Sequence, residues 1–166
     1  AIYVGFMTSL TLLGKLNNGV QEILAGSVII FFIGLKDDLI PISALKKFLG
    51  QLLAAGIVMF MGNIRITNLQ GIMGIYELDT LQPGLSYILT FITIIGITNA
   101  INLIDGINGL AGTLILIVSL IFGISFLGNN NPNFALLAFS LGGGVFAFLR
   151  YNIFKAQIFM GDTGSL

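Results

Sequence analysis

The sequence has no cysteine and no histidine among its 166 residues. Without cysteine this chain can form no disulfide bond and has no thiol nucleophile, and without histidine it cannot build a Ser-His-Asp triad. The usual zinc sites, which are made from those two residue types, are excluded as well. Any catalysis must therefore use carboxylates, amides, hydroxyls and lysines, or a hard cation that oxygen ligands hold.

Charge is also scarce, since only 8% of the residues are charged, whereas a typical soluble domain has about 25%. Hydrophobic residues make up 56% of the chain, and its mean hydropathy is +1.02. A soluble fold of this composition would expose large apolar patches, so the composition predicts an integral membrane protein or part of one. Seven basic residues balance seven acidic ones, and this neutral total gives no indication of a nucleic acid partner.

The few charges are clustered, and the uncharged gaps between the clusters predict the membrane spans. An Asn-rich run at residues 129–133 divides the longest gap, because such a run breaks a helix. The predicted fold is all-α and polytopic, a single transmembrane domain over residues 1–166. Its six predicted helices lie at about 2–14, 21–36, 45–62, 84–103, 109–127 and 134–150. The chain begins inside an apolar run and ends directly after a polar one, so we expect it to be incomplete at both ends.

Residues 63–79, between the third and fourth spans, have a different pattern. Residues 64–67 alternate between apolar and polar, and a second run at residues 72–78 follows a polar interval. This pattern predicts a short hairpin at the outer surface. The alternative is an ordinary loop that caps the bundle.

Because each span crosses the membrane once, the connections between successive spans lie alternately at the two membrane faces. One face receives five of the seven basic residues, namely Lys36, Lys46, Lys47, Arg150 and Lys155. The positive-inside rule makes that face cytoplasmic. The same face receives four aspartates at helix ends, which are Asp37, Asp38, Asp105 and Asp162.

Two polar groups lie near the ends of apolar helices. Asp37 and Asp38 repel each other at a helix C-terminus, where the helix dipole disfavours negative charge, so a cation should offset them. Asn99, Asn102 and Asp105 are spaced three residues apart and form a stripe on one helix face, which should point into the bundle. The alternatives are a solvated interface loop for the aspartate pair and interhelical hydrogen bonding for the asparagines.

The run at residues 159–165 combines two glycines, one acid and two hydroxyls. Such a run can bring backbone N–H groups close to phosphate oxygens while the acid holds a cation, although an ordinary turn has the same composition. Lys47 and Gln51 share a helix face one turn apart near the start of the third span.

Three motifs in order carry a family resemblance. They are Gly34-Leu35-Lys36-Asp37-Asp38 with Lys47 and Gln51, then Asn99-x-x-Asn102-x-x-Asp105-Gly106-x-Asn108-Gly109-Leu110-Ala111, then Phe159-Met160-Gly161-Asp162-x-Gly164-Ser165. Together they resemble the polyprenyl-phosphate N-acetylhexosamine-1-phosphate transferases, also called glycosyltransferase family 4. The likeness extends over nearly the whole chain.

The resemblance implies an enzyme that transfers a sugar 1-phosphate from a UDP-sugar to undecaprenyl phosphate and releases UMP. The sequence is most similar to the branch that uses UDP-N-acetylglucosamine and initiates O-antigen (lipopolysaccharide) or teichoic acid synthesis. The phospho-N-acetylmuramoyl-pentapeptide transferases of peptidoglycan synthesis are the second branch. Either branch implies a multi-pass protein of the bacterial inner membrane, with its site facing the cytoplasm and a homodimer as one assembly.

The resemblance also implies roles for individual residues. The expected catalytic residues are Asp37, Asp38, Asp105 and Asp162, with Asp162 and Asp105 as ligands of Mg²⁺ or, alternatively, Mn²⁺. Asp37 and Asp38 are expected to handle the lipid phosphate. The expected substrate-binding residues are Lys47, Asn99, Asn102, Asn108, Asn152, Gly161 and Gly164.

Two departures from the family pattern are visible. Position 108 is Asn here and often Asp in the family. The family's His-rich cytoplasmic loop lies further toward the C-terminus and is absent from this chain. Two other classes of function stay open from the residues themselves: an ion-coupled transporter, whose acids would lie near the membrane midplane, and a non-catalytic scaffold.

Overall fold

The computed structural model describes residues 2–13, 19–78, 83–153 and 156–166. Within these ranges the regular secondary structure is helical, and we number the α-helices in chain order. They are α1 (Ile2–Leu13), α2 (Val20–Leu39), α3 (Ala44–Gly56), α4 (Pro83–Ile104), α5 (Leu110–Gly128), α6 (Pro132–Asn152) and α7 (Gly161–Ser165). A π-helical turn, Ile57–Met61, extends α3.

A helix occupies each of the six predicted spans, so the predicted all-α polytopic fold is confirmed. Four of the described helices are long and apolar enough to cross a membrane: α3 with its extension, α4, α5 and α6. By contrast, α1 has 12 residues, fewer than the roughly 20 that a span needs. Helix α2 has 20 residues, but four of them are charged. For α1 and α2 the crossing therefore stays a prediction, as does the membrane face that each helix end reaches.

The local sequence explains where several helices begin. Gly109 precedes α5 with a φ of 78°, a left-handed conformation that glycine adopts without strain. Pro132 lies in the first turn of α6, where its missing N–H removes no helical hydrogen bond. At the start of α2 the Glu22 carboxylate accepts a hydrogen bond from the Gly19 N–H at 2.6 Å. The Asn-rich run is the break between α5 and α6, as predicted.

The segment between α3 and α4 reverses direction, as the predicted hairpin would. Within residues 62–78, the described part of this segment, strand pairing is limited to one antiparallel bridge between Asn68 and Glu77. Regular strands do not form in the described part of this segment, because Gly71 takes a φ of 85° and a 3₁₀ turn, Ile72–Gly74, follows it. The Ser86 hydroxyl of α4 donates to the Ile66 carbonyl at 2.7 Å and fixes the loop to the bundle.

Helix α6 packs extensively against both α1 and α5. One buried cluster joins α1 to the start of α2, through Phe6, Leu10, Val20 and Leu24. A second cluster joins α6 to the segment before α7, through Val145, Phe148, Leu149 and Met160. In a bilayer such contacts stabilise a fold through close packing rather than through removal from water. The second cluster holds the beginning of α7 against the bundle.

Candidate functional site

Four helix ends meet at one end of the bundle and bring the predicted aspartates together. Asp37 and Asp38 lie in the last turn of α2, and Asp105 directly follows α4. Asp162 lies in the first turn of α7, which packs against α2 and α4. The sequence therefore predicted the convergence correctly. We call this cluster the aspartate site, defined by Asp37, Asp38, Asp105 and Asp162 together with Lys47 and Asn102.

Lys47, in the first turn of α3, bridges two of the aspartates. Its Nζ lies 2.6 Å from Oδ2 of Asp162 and 3.2 Å from Oδ2 of Asp37. The other Asp37 oxygen accepts a hydrogen bond from the Ile42 N–H at 2.7 Å. The pKa of Asp37 is lowered to about 2 by its polar neighbours, which are the adjacent Asp162 carboxyl group, the Ile42 N–H and the Lys47 ammonium. Lys47 is therefore the cation expected to offset the two adjacent negative charges at the end of α2.

Asn102 holds the second oxygen of Asp162. Its Nδ2 donates to Oδ1 of Asp162 at 2.5 Å and to the Ser165 hydroxyl at 2.8 Å. The Ser165 hydroxyl in turn donates to the Gly161 carbonyl at 2.8 Å. Both Asp162 oxygens therefore accept from nitrogen donors on different helices, which fixes the direction of this carboxylate.

Asp38 contacts the beginning of α7, and no ion pair joins it to a cation among the described residues. Its two carboxylate oxygens accept hydrogen bonds from the N–H groups of Asp162, at 2.8 Å, and Thr163, at 3.0 Å. The Thr163 hydroxyl donates to the same carboxylate. Partial burial raises the pKa of Asp38, but the bonds from Thr163 and Asp162 outweigh it and bring the pKa below its usual value. The amides expected to approach a phosphate are thus directed at Asp38.

Asp105 has the opposite electrostatic environment. Partial burial raises its pKa above the usual value, and the negative charges of Asp162 and Asp38 raise it further. A hydrogen bond from the Gly161 N–H offsets part of this effect. A cation bound near Asp105 would offset the repulsion from Asp162 and Asp38 and lower the pKa of Asp105.

Asn99 pairs with a neighbouring helix. Its Nδ2 donates to Oε1 of Gln51 at 3.0 Å, and the Gln51 Nε2 donates back at 3.4 Å. Gln51 is only 3% exposed, so this amide pair locks α3 to α4 inside the bundle. The alternative interpretation, interhelical hydrogen bonding, therefore describes Asn99, and a role in substrate binding stays a prediction.

Asn108 and Asn152 are both predicted to bind substrate, but they have different surroundings. Asn152 is buried, and it accepts a hydrogen bond from the Gly109 N–H at 2.6 Å while donating to the Ile158 carbonyl at 2.9 Å. These bonds position the segment that leads to α7. Asn108 is exposed in the turn before α5, and the contacts described above do not involve it. Substrate binding by either residue stays a prediction.

Three glycines permit the close packing around α7. Gly161 has a φ of 63°, and a Cβ there would lie 2.8 Å from the Asp38 carboxylate. A Cβ on Gly164 would lie 2.5 Å from the Met160 side chain. Gly34 of α2 is the tightest, since a Cβ there would lie 2.4 Å from the Asp162 carbonyl oxygen. Gly161 and Gly164 thus have packing roles, while their expected contact with substrate stays a prediction.

Sequence reasoning did not assign four residues that the structure places at or beside the aspartate site: Gly34, Gln51, Thr163 and Ser165. A signal existed for two of them. Gly34 precedes Asp38 by one helical turn, and Gln51 follows Lys47 by one turn, so each shares a face with a residue of the site. Thr163 and Ser165 lay within a motif, but their partners could not be derived from spacing.

The described residues contain no group of three or more acidic side chains arranged to hold a metal ion. Asp162 and Asp105 nevertheless provide hard oxygen donors on neighbouring elements. Mg²⁺ commonly binds through one or two carboxylates and completes its shell with water and substrate phosphates. The donor set therefore fits a cation that arrives with, or is completed by, a phosphate substrate.

Comparisons with known proteins identify the family to which the chain belongs. Three relatives illustrate the similarity. The decaprenyl-phosphate N-acetylglucosaminephosphotransferase of Mycobacterium leprae is 33% identical, over 100% of this chain and 46% of its own length. The probable undecaprenyl-phosphate N-acetylglucosaminyl 1-phosphate transferase of Bacillus subtilis is 34% identical, over 100% of this chain and 46% of its own length. The phospho-N-acetylmuramoyl-pentapeptide-transferase of Clostridium beijerinckii is 33% identical, over 99% of this chain and 53% of its own length.

The chain thus spans about half the length of these curated relatives. The model of the family described as "Glycosyl transferase family 4" matches residues 20–166. This range contains every residue of the aspartate site. The chain therefore belongs to glycosyl transferase family 4.

Proposed function

We propose that the protein transfers N-acetylglucosamine 1-phosphate from UDP-N-acetylglucosamine to undecaprenyl phosphate. The observation that carries this proposal is the Asp162 carboxylate, held between Lys47 and Asn102 at an end of the bundle where three further aspartates meet. Two of the relatives are named for transfer of N-acetylglucosamine phosphate to a polyprenyl phosphate. A lipid acceptor explains why such a site lies at helix ends, where an acyl chain in the bilayer and a phosphate in water can both be accommodated.

In the proposed reaction an oxygen of the lipid phosphate attacks the sugar-linked phosphorus of the UDP-sugar. A new P–O bond forms to the lipid phosphate, and the P–O bond to UMP breaks, so that UMP leaves with the bonding electron pair. The attacking phosphate monoester is already largely dianionic near neutral pH, because its second pKa is about 6. Such a transfer needs charge neutralisation and alignment more than a strong base.

The residues of the aspartate site divide these tasks. Lys47 neutralises a phosphate oxygen, and Asn102 orients Asp162 and the diphosphate. Asp37 organises the lipid phosphate from the end of α2. Asp162, with Asp105, would hold Mg²⁺, and the bound cation would neutralise charge on the diphosphate and the leaving UMP. Mn²⁺ offers similar oxygen coordination.

The muramoyl-pentapeptide reaction is the second candidate, because one relative of similar identity carries that name. An ion-coupled transporter fits less well, since transporter acids lie near the midplane, whereas these aspartates lie at helix ends. We further propose that the site faces the cytoplasm of a bacterial inner membrane and performs the first membrane step of an envelope polysaccharide. O-antigen and teichoic acid are the candidate polymers, and a homodimer is the proposed assembly.

The test compares two sugar donors, each supplied separately to the purified full-length protein in detergent. UMP release is measured with undecaprenyl phosphate and Mg²⁺, using either UDP-N-acetylglucosamine or UDP-N-acetylmuramoyl-pentapeptide. The proposal expects UMP and a lipid-linked N-acetylglucosamine product with the first donor only. Release with the pentapeptide donor alone would favour the second candidate, and no release with either would reject both.

A further inference from the structure

Helices α2 and α7 dock through two residues on one face of α2. Gly34 and Asp38 are four positions apart, so they lie one turn apart on the same side of the helix. Any Cβ on Gly34 would lie within 3 Å of three α7 backbone atoms, which belong to Asp162 and Thr163. The backbone of α7 therefore lies directly on α2, and only glycine permits that approach.

Asp38 completes the docking as a cap supplied by another helix. The first N–H groups of any helix have no partner within the helix. Met160, which precedes α7, provides no side-chain hydrogen bond to them. Asp38 accepts from the N–H groups of Asp162 and Thr163 instead, and from the Thr163 hydroxyl. It thus performs for α7 the task that a local Ser, Thr, Asp or Asn usually performs.

These contacts determine the placement of Asp162. The backbone of Asp162 is held by Asp38 on α2, while its side chain is held by Lys47 on α3 and Asn102 on α4. If the contact between Asp38 and the Asp162 backbone were lost, the Asp162 side chain could move away from Lys47 and Asn102. The direction of the Asp162 carboxylate therefore depends on Asp38, which contacts the Asp162 backbone but not its carboxylate.

We propose that Asp38 is a positioning residue, which caps α7 and thereby aims Asp162, and that it does not take a proton from the lipid phosphate. Asp37 and Asp38 then have separate tasks although they are adjacent in sequence. The catalytic half of this inference rests on the proposed function, since it concerns what Asp162 does once aimed. The structural half, that Asp38 holds α7, stands on the contacts alone.

Amide hydrogen exchange tests the structural half without any activity measurement. Asp38→Ala in the full-length protein should accelerate exchange in the peptide that covers Asp162 and Thr163 by roughly fivefold or more, the usual effect of a lost cap. Glu22→Ala is the matched control, because Glu22 accepts a backbone N–H at the other end of the same helix. It should leave that peptide unchanged. Equal exchange in wild type and Asp38→Ala would overturn the proposal.

Kinetics test the catalytic half. A positioning role predicts that Asp38→Ala raises the Mg²⁺ concentration needed for half-maximal UMP release. Adding Thr163→Val should make it little worse, because Asp38→Ala already removes the hydroxyl contact that Thr163→Val removes. A proton-accepting role predicts instead that Asp38→Ala loses the acidic limb of the pH–rate profile and leaves the Mg²⁺ requirement unchanged. Should Asp38→Ala fail to fold, Thr163→Val alone must raise the Mg²⁺ requirement.

A wild-type protein without transferase activity would reject the proposed function. The exchange experiment would still test whether Asp38 caps α7.

Discussion

The Lys47 ammonium lies 2.6 Å from a carboxylate oxygen of Asp162, although the two residues are 115 positions apart in the sequence. Both side chains are mostly shielded from solvent, at 18% and 25% exposed. In such surroundings an ion pair is screened less than at an open surface. The pair joins α3 to α7 and places a positive charge where a phosphate is proposed to bind.

Replacement of Lys47 should affect the reaction far more than replacement of its neighbour. Lys47→Gln removes the positive charge beside Asp162 and should lower kcat by about 10²–10³-fold, the usual cost of a lost electrostatic contact in an active site. Lys46→Gln is the matched control, because Lys46 is exposed and adjacent. Steady-state UMP release from the two purified variants would measure the difference. Equal activity in both would remove Lys47 from the site.

Replacing Asn99 should mainly lower stability, whereas replacing Asn102 should mainly lower activity. Asn99→Ala leaves the buried amide of Gln51 without its partner, which should cost about 1–3 kcal/mol of stability. Asn102→Ala removes a donor to Asp162 and should lower UMP release with a smaller change in melting temperature. Thermal unfolding in detergent and initial rates, measured on both variants, would test this separation. A reversed pattern would contradict the assigned tasks.

A single methyl group on Gly34 should disturb α7. The new Cβ would lie 2.4 Å from the Asp162 carbonyl oxygen, and relieving such overpacking typically costs about 1–3 kcal/mol. We therefore expect Gly34→Ala to lower both the melting temperature and UMP release. Gly96→Ala is the control within α4, because nothing lies within 4 Å of a Cβ there. It should be neutral or stabilising by up to about 1 kcal/mol.

Much of this architecture follows from the spacing of charges. The apolar gaps between charged residues gave the positions of the helices, and the alternation of their ends gave the convergence of Asp37, Asp105 and Asp162. Side-chain partners did not follow, because the gaps fix neither the rotation of a helix about its axis nor its depth. Asp38 was therefore grouped with Asp37, although it contacts the backbone of α7.

The outer segment shows a second limit. Alternation at residues 64–67 and 72–78 correctly predicted a chain reversal, but glycine geometry at Gly71 and the 3₁₀ turn interrupted the pairing. Asn152 shows a third, since its amide is used by the backbone of Gly109 and Ile158. A polar residue near a motif can be required for the loop that carries a site as well as for the substrate.

The most direct test of the account is Asp162→Asn in the full-length protein. Asn keeps the shape of Asp but removes the charge proposed to hold Mg²⁺, and its amide NH₂ would face either the Lys47 ammonium or the Asn102 amide, which are both donors. UMP release from UDP-N-acetylglucosamine should fall by at least about 10²-fold and should not recover at saturating Mg²⁺, while the melting temperature shows a folded protein. Turnover equal to wild type at saturating Mg²⁺ would contradict the account.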